Sequence, residues 1–329
     1  MKLRRLIIAS TLALVAACSS GGDETDVATV DFGAALSATA EITHYRLTQS
    51  TGQTTDVAAL GLSGSTEPDP DQPTVIGQVT PERSYVEIDF DAVFASFPGS
   101  EAGKMRIWSD PERVVIDTTD LGAAFAGVDA GPMEPGIGYV DLTRVESEAS
   151  DLVAAITGGG MPDLTELATS LPAALSGVTE TETGVFTGAI SHADFLTTMG
   201  QDVETLSRTT AAGLALTLDV DVNALTRVYV DAFTNSAAEM TVVVEGGVVR
   251  EIREVFDVTV VFDAMLRDDS LFDSAAEQSE FETTFADAVW IIETVMTFEP
   301  DPALVVEPLP ATDDDRTDAW VEFLRGAGF

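Results

Sequence analysis

Cysteine is almost missing from this sequence: Cys18 is the single one in 329 residues, so no disulfide can form within the chain. Histidine is nearly as scarce. His44 and His192 leave little material for a zinc site or a histidine-based triad. Ser191-His192-Ala193-Asp194 sets three suggestive residue types side by side, but triad members converge from separate elements rather than from one turn of chain. Positive charge is short as well, with 16 Lys and Arg against 56 Asp and Glu and a net charge of −40. Such a field repels phosphate backbones and anionic headgroups, which disfavours nucleic-acid binding and electrostatic adhesion to membranes. Gly-x-Ser-x-Gly, Ser-x-x-Lys, phosphate-loop and His-Glu-x-x-His patterns are all absent. Asp219-Val220-Asp221-Val222-Asn223 starts like a calcium loop and fails, because Ala224 stands where glycine is needed and Val230 where a bidentate glutamate is needed. A paired-carboxylate glycosidase cannot be singled out among 56 acids. The sequence therefore predicts no catalysis, no cofactor and no metal.

What is present begins at the N-terminus. Lys2, Arg4 and Arg5 precede a weakly polar to apolar run from Leu6 to Ala17, an order that reads as a secretory signal. Twelve residues span about 18 Å as a helix, short of the roughly 30 Å hydrocarbon core of a bilayer. Val15-Ala16-Ala17-Cys18 resembles the bacterial lipoprotein box, in which the cysteine thiol receives a diacylglyceryl group and cleavage falls just before it. The resemblance makes Cys18 the lipidation site and the mature N-terminus. It implies palmitate-type acyl chains and an anchor on the extracytoplasmic face of the cell membrane, since two or more chains give stable attachment where one does not. Removing residues 1–17 takes away three basic residues and no acidic one, moving the net charge from −40 to −43. With 45% hydrophobic residues the mature chain can still bury a core.

Along the chain, residues 18–30 read as the acylated cysteine and a small, polar tether. Asp31 can cap a helix through Ala34–Ala40, which runs into an extended stretch, Ile42–Thr48. Val57–Ser65 is a second strand before a proline-rich loop at Glu67–Pro73. Ser84–Phe90 alternates, with Val86, Ile88 and Phe90 on one face. Met105–Trp108 and Val114–Asp117 flank a turn at Ser109–Glu112 and form a hairpin. Tyr139–Val145 is extended, and helices are expected at Ser150–Thr157 and Asp163–Leu171, the second ending near Pro172. Thr183–Ile190 and Leu214–Val222 read as strands, with weak helices at Ala193–Met199 and Val203–Ala212 between them. The clearest β signal is Glu239–Phe262, folded back across Gly246-Gly247. There Ile252, Phe256, Val258, Val260 and Phe262 share one phase, broken by a single polar residue, Glu254. Arg267–Glu282 reads as an acidic loop. Trp290, Ile292, Met296 and Phe298 alternate as a strand, and residues 313–329 form an acidic segment with a short amphipathic helix.

Three of these features in this order resemble the LolA-like lipoproteins of actinobacteria, the family of the LppX and LprG type. They are the Ala-rich helix running into His44-Tyr45-Arg46-Leu47, the hairpin Met240–Val258 with Val249-Arg250-Glu251-Ile252-Arg253 after its turn, and the closing Met296-Thr297-Phe298-Glu299 with Val305-Val306-Glu307-Pro308-Leu309-Pro310. The resemblance implies an α+β fold over residues 31–312, a curved antiparallel half-barrel sheet covered on its concave side by helices. It also implies an apolar space between sheet and helices that takes acyl chains. The sequence departs from the family in length at Gly122–Leu171 and Arg267–Glu282. Ile88, Phe90, Ile252, Phe256, Val258, Val260 and Phe262 are then either the lining of such a pocket or ordinary core. The function expected is a lipid-anchored envelope protein that binds or carries an acylated lipid or other hydrophobic ligand. The alternative is an anchored interaction module with a filled core, whose acidic surface docks a basic protein partner.

Overall fold

A computed structural model describes residues 30–57, 62–93, 103–120, 138–145, 164–198, 202–208, 211, 222–272, 274–310 and 315–327. Cys18, the tether, the helix expected at Ser150–Thr157 and the acidic stretch Asp219–Asp221 lie outside the described residues, as does the strand expected over Leu214–Val222 except for Val222 itself.

The fold is α+β, built on an open antiparallel sheet of twelve strands in the order β7-β6-β5-β4-β3-β1-β12-β11-β10-β9-β8, with β2 paired to β1. The strands are β1 (Tyr45–Val57), β2 (Leu62–Thr66), β3 (Val75–Val79), β4 (Ser84–Asp89), β5 (Lys104–Ser109), β6 (Val114–Asp117), β7 (Tyr139–Asp141), β8 (Ser176–Glu182), β9 (Val185–Ser191), β10 (Ala237–Glu245), β11 (Val248–Asp257) and β12 (Val289–Pro300). The chain divides into two compact units, with the boundaries falling inside β1 and β12: one comprises residues 1–40, 51–69 and 162–296, the other residues 41–50, 70–161 and 297–329.

In the first unit β9, β10 and β11 form a meander. Gly246 and Gly247 close the β10–β11 hairpin with φ of 61° and 81°, a left-handed pair that glycine adopts without Cβ strain. Register places Phe186, Val242 and Ile252 in one row across the strands and Gly188, Met240 and Glu254 in the next. Because side chains alternate, these rows share a face, and helices cover it. Those helices are α1 (Phe32–Ala40), α2 (Leu164–Ala174), α3 (His192–Thr198), α4 (Val222–Asn235), α5 (Thr259–Arg267) and α6 (Ala275–Phe285). Phe32 of α1 packs on Phe186, Thr39 of α1 accepts a hydrogen bond from the Val249 amide, and Phe262 of α5 lies beside Trp290.

Several sequence expectations are corrected here. β11 ends at Asp257, whose carboxylate accepts from the Thr259 amide and hydroxyl and starts α5. The buried residues Val258, Val261, Phe262 and Met265 follow i, i+3, i+4, i+7 spacing, so the helical period wins where the sequence predicts strand alternation as far as Phe262. The acidic stretch Arg267–Glu282, expected as a loop, holds most of α6, which is capped by Ser274 accepting from the Glu277 amide and held by buried Phe281 and Phe285. α2 runs to Ala174, three residues past the expected end at Leu171, with Pro172 inside its last turn. Val57 ends β1 rather than opening a second strand, and it pairs with Leu62 of β2. Val222 opens α4 rather than closing a strand.

In the second unit the hairpin of β5 and β6 forms with Ser109 opposite Val114, as expected. Val86, Ile107, Ile116, Val140, Leu142 and Val145 make its core cluster, against which Ile88 and the helix α7 (Thr317–Ala327) pack, the latter through Trp320 and Val321. The extended stretch expected over Tyr139–Val145 is shorter: β7 stops at Asp141 and a helical turn follows.

Candidate functional site

The most unusual chemistry in the first unit sits in the middle of its covered sheet face. β11 carries Ile252, Glu254 and Phe256 on the same side, so forming the strand drives a carboxylate into an apolar layer. β9 ends at Ser191 and α3 begins at His192. Ser191 Oγ donates to Asp194 Oδ2 at 2.6 Å and accepts from the Asp194 amide at 3.0 Å, which caps α3 and spends both polar neighbours of the histidine. His192 is thereby free to turn inward, where its Nδ1 lies 2.9 Å from Glu254 Oε1. The imidazole is 2% exposed and the carboxylate 0%. The ring of His192 stacks on Phe256 at 4.2 Å, and Phe233 of α4 and Phe195 of α3 stand at 5.1 and 6.1 Å.

Burial pushes the Glu254 carboxyl pKa up, only partly offset by the charge and hydrogen bond of His192. The second carboxyl oxygen, Oε2, has no hydrogen-bond partner among the described residues. A buried, half-satisfied carboxyl of this kind costs on the order of 1–3 kcal/mol. Sequence reading marked the polar break at Glu254 but not its partner, sixty-two residues away.

The seven residues expected to line a ligand space divide between the units. Ile252 and Phe256 flank Glu254 and are fully buried. Val258 is buried at the entrance to α5, Val260 is half-buried on α5, and Phe262 packs among Phe281, Phe285 and Trp290 at 4.9–6.3 Å. Ile88 and Phe90 are half-buried in the second unit, Ile88 on β4 and Phe90 in the helical turn Phe90–Val93. A cleft of about 480 Å³ on the first unit is lined by small residues of β8, β9 and β10, including Gly177, Gly188 and Ala238, and includes none of the seven.

The second unit carries a different polar group. On β4, Glu87 lies opposite Arg106 of β5, and Asp89 opposite Lys104. Lys104 reaches Glu87 at 2.9 Å and Asp89 at 3.0 Å, while Arg106 bonds Glu87 at 2.9 Å and Asp120 at 2.7 Å. Burial works against the Glu87 carboxylate, but hydrogen bonds from Lys104, Arg106 and Tyr85 outweigh it and hold its pKa below the ordinary value. The neighbouring Tyr85 phenol is pushed up to about 12, first by burial and then by the Glu87 charge. Tyr85 also lines a cleft of about 400 Å³ with Arg46, Gln78, Val305 and Glu307.

Among the described residues no group of His, Cys, Asp or Glu is arranged to hold a metal, and no helix is long and apolar enough to cross a membrane. No family model matches the chain, and no curated protein matches it.

Proposed function

We propose that this chain is an acyl-anchored protein of the extracytoplasmic membrane face that binds or carries an acylated lipid or other hydrophobic ligand without catalysis. In this reading the sheet is a LolA-like half-barrel, and the ligand lies between the sheet and the helices of the first unit. The observation that carries the proposal is the apolar layer between β9–β12 and α1, α3, α4 and α5, where Phe186, Ile252, Phe256 and Trp290 of the sheet meet Phe32, Phe233 and Phe262 of the helices. Two layers held by side-chain packing, rather than by backbone ladders, can part to admit an acyl chain at a cost that the chain's own burial returns, about 0.8 kcal/mol per CH₂. Cys18 supplies the anchor, and the charge of −43 keeps the mature protein from lying flat on an anionic surface.

Native mass spectrometry tests this on residues 19–329, exported without the anchor from a host with a similar envelope. A stoichiometric acyl lipid is the expected result, and an empty folded protein overturns ligand carriage. One observation favours a second reading, an anchored module for docking a basic protein. Phe256, Phe233 and Phe195 are 2% exposed or less and fill the interior themselves. The empty-protein outcome selects that reading.

A further inference from the structure

The His192–Glu254 pair is a hydrogen-bonded polar contact buried within the apolar layer of the first unit. Its two members come from different layers. His192 is the first residue of α3, and Glu254 is in the middle of β11, so their hydrogen bond spans the interface between helix and sheet. α3 is short, seven residues, and apart from His192 it is held inward by Phe195, Leu196 and Thr198.

We propose that the His192–Glu254 pair is a proton-operated latch that fastens α3 to the sheet and releases it as pH rises. Closed, the pair shares one proton between imidazole and carboxyl and carries no net charge. Withdrawing that proton leaves a net negative charge on a buried pair whose imidazole is surrounded by Phe195, Phe233 and Phe256 and whose carboxyl Oε2 lacks any donor among the described residues. Swinging α3 outward hydrates both groups and removes that penalty.

Other charged groups on the surrounding elements are engaged elsewhere. Asp194 of α3 is bonded to Ser191, Asp231 of α4 to Arg267 of α5, and Arg227 of α4 to Asp268. Glu251 and Arg253 of β11 bond to one another on the opposite phase of the strand. Glu239 of β10 and Asp263 of α5 are exposed, as is Glu166 of α2, the helix packed on α3. Glu293 of β12 is half-buried, with Arg253 and Glu67 as its charged neighbours. Tyr229 of α4 is buried in the same layer with its ring 6.0 Å from Phe233. Of all these, His192 is the charged group that acts on Glu254.

The sign follows from proton counting. Burial penalises the ionised Glu254 carboxyl, so the closed pair keeps its proton to higher pH than a hydrated carboxylate does. Opening therefore releases a proton, and its equilibrium constant rises with pH, by at most about tenfold per pH unit. An extracytoplasmic face meets external pH directly, so on the reading proposed above the latch would regulate access to the same interior layer. The latch itself does not depend on a ligand.

Hydrogen exchange on residues 19–329 tests it, with rates corrected for intrinsic pH dependence, comparing wild type with Glu254→Gln. Expected is a loss of protection at the α3 amides as pH rises in wild type, by up to about tenfold per pH unit, with α1 amides unchanged, and a flat profile in the variant. Parallel profiles in the two proteins overturn the latch, because the variant has no carboxyl at that position to ionise. Should Glu254→Gln not fold, the comparison of α3 with α1 amides within wild type decides: a uniform change across both also overturns it. Lipid content, read separately by mass spectrometry, bears only on the function proposed above.

Discussion

The two units hold acids and bases in opposite ways, and pH acts on them with opposite signs. In the first unit one carboxyl is sealed under aromatic rings with one imidazole. Its pKa is raised, so stability is present below the ordinary carboxyl value of 4.5 and is lost as pH rises through the folded value. In the second unit Glu87 sits on a half-wet sheet face among Lys104, Arg106 and Tyr85. Its pKa is lowered, so stability is present above 4.5 and is lost as pH falls through the folded value. Burial decides the difference. Where water and several donors reach the carboxylate, ionisation is favoured. Where one imidazole is the sole donor among the described residues, ionisation is penalised.

The sharpest way to break that comparison is to open the sealed pair. Phe256→Ala removes the ring stacked on His192 and leaves a cavity in a close-packed layer. We expect a loss of about 4 kcal/mol in denaturant unfolding. His192→Ala leaves Glu254 buried alone and should cost about 3 kcal/mol at neutral pH, with the deficit shrinking in acid as the carboxyl takes up a proton. A deficit that grows in acid would reverse the sign assigned to Glu254.

A backbone change offers a control inside the first unit that involves no charge. Gly184, in the turn between β8 and β9, has φ of 78°, and a Cβ there would meet the Val244 carbonyl oxygen at 2.5 Å. Gly184→Ala should cost about 2 kcal/mol at every pH, combining strain and a forced shift of β10, as read by thermal unfolding. The smallest effect belongs to the second unit. Arg106→Ala removes contacts to Glu87 and Asp120 from a partly hydrated face, and should cost about 1 kcal/mol at low salt and less in molar salt. His192→Ala should show no such salt dependence, because screening ions do not reach the pair.

Much of this architecture was legible in the chain. Gly246-Gly247 announced its hairpin, and the even spacing of Trp290, Ile292, Met296 and Phe298 announced β12, because a two-residue turn and a half-buried strand each leave a local pattern. The cross-strand hairpin at Asp110-Pro111 was equally plain. The helices over the first unit were not. α4 is rich in Val, Thr, Tyr and Phe, whose branched and aromatic side chains favour strands in isolation, and it is helical because Ala224, Leu225, Val228, Tyr229, Ala232 and Phe233 all find a layer to pack on. At the start of α5 a run of Val258, Val260 and Phe262 mimics alternation, while the residues buried beside Val258 and Phe262 are Val261, Ala264 and Met265. β8 has almost no apolar residue to betray it, since an edge strand mostly exposed to water needs none.

The site was half legible for the same reason. A glutamate in the apolar phase of a strand is visible in sequence, and so is a scarce histidine beside a capping serine and aspartate. Their meeting across sixty-two residues depends on α3 folding back over β11, which no local pattern specifies.

Lipid binding in the first unit is the central claim, and photo-crosslinking tests it most directly. The mature protein would be incubated with an acyl lipid carrying a diazirine in its chain, irradiated and digested, and the labelled peptides identified. The account predicts labels on β11 and α4, over residues 248–257 and 222–235. Labels confined to the exposed faces of the sheet, or none at all, would contradict it.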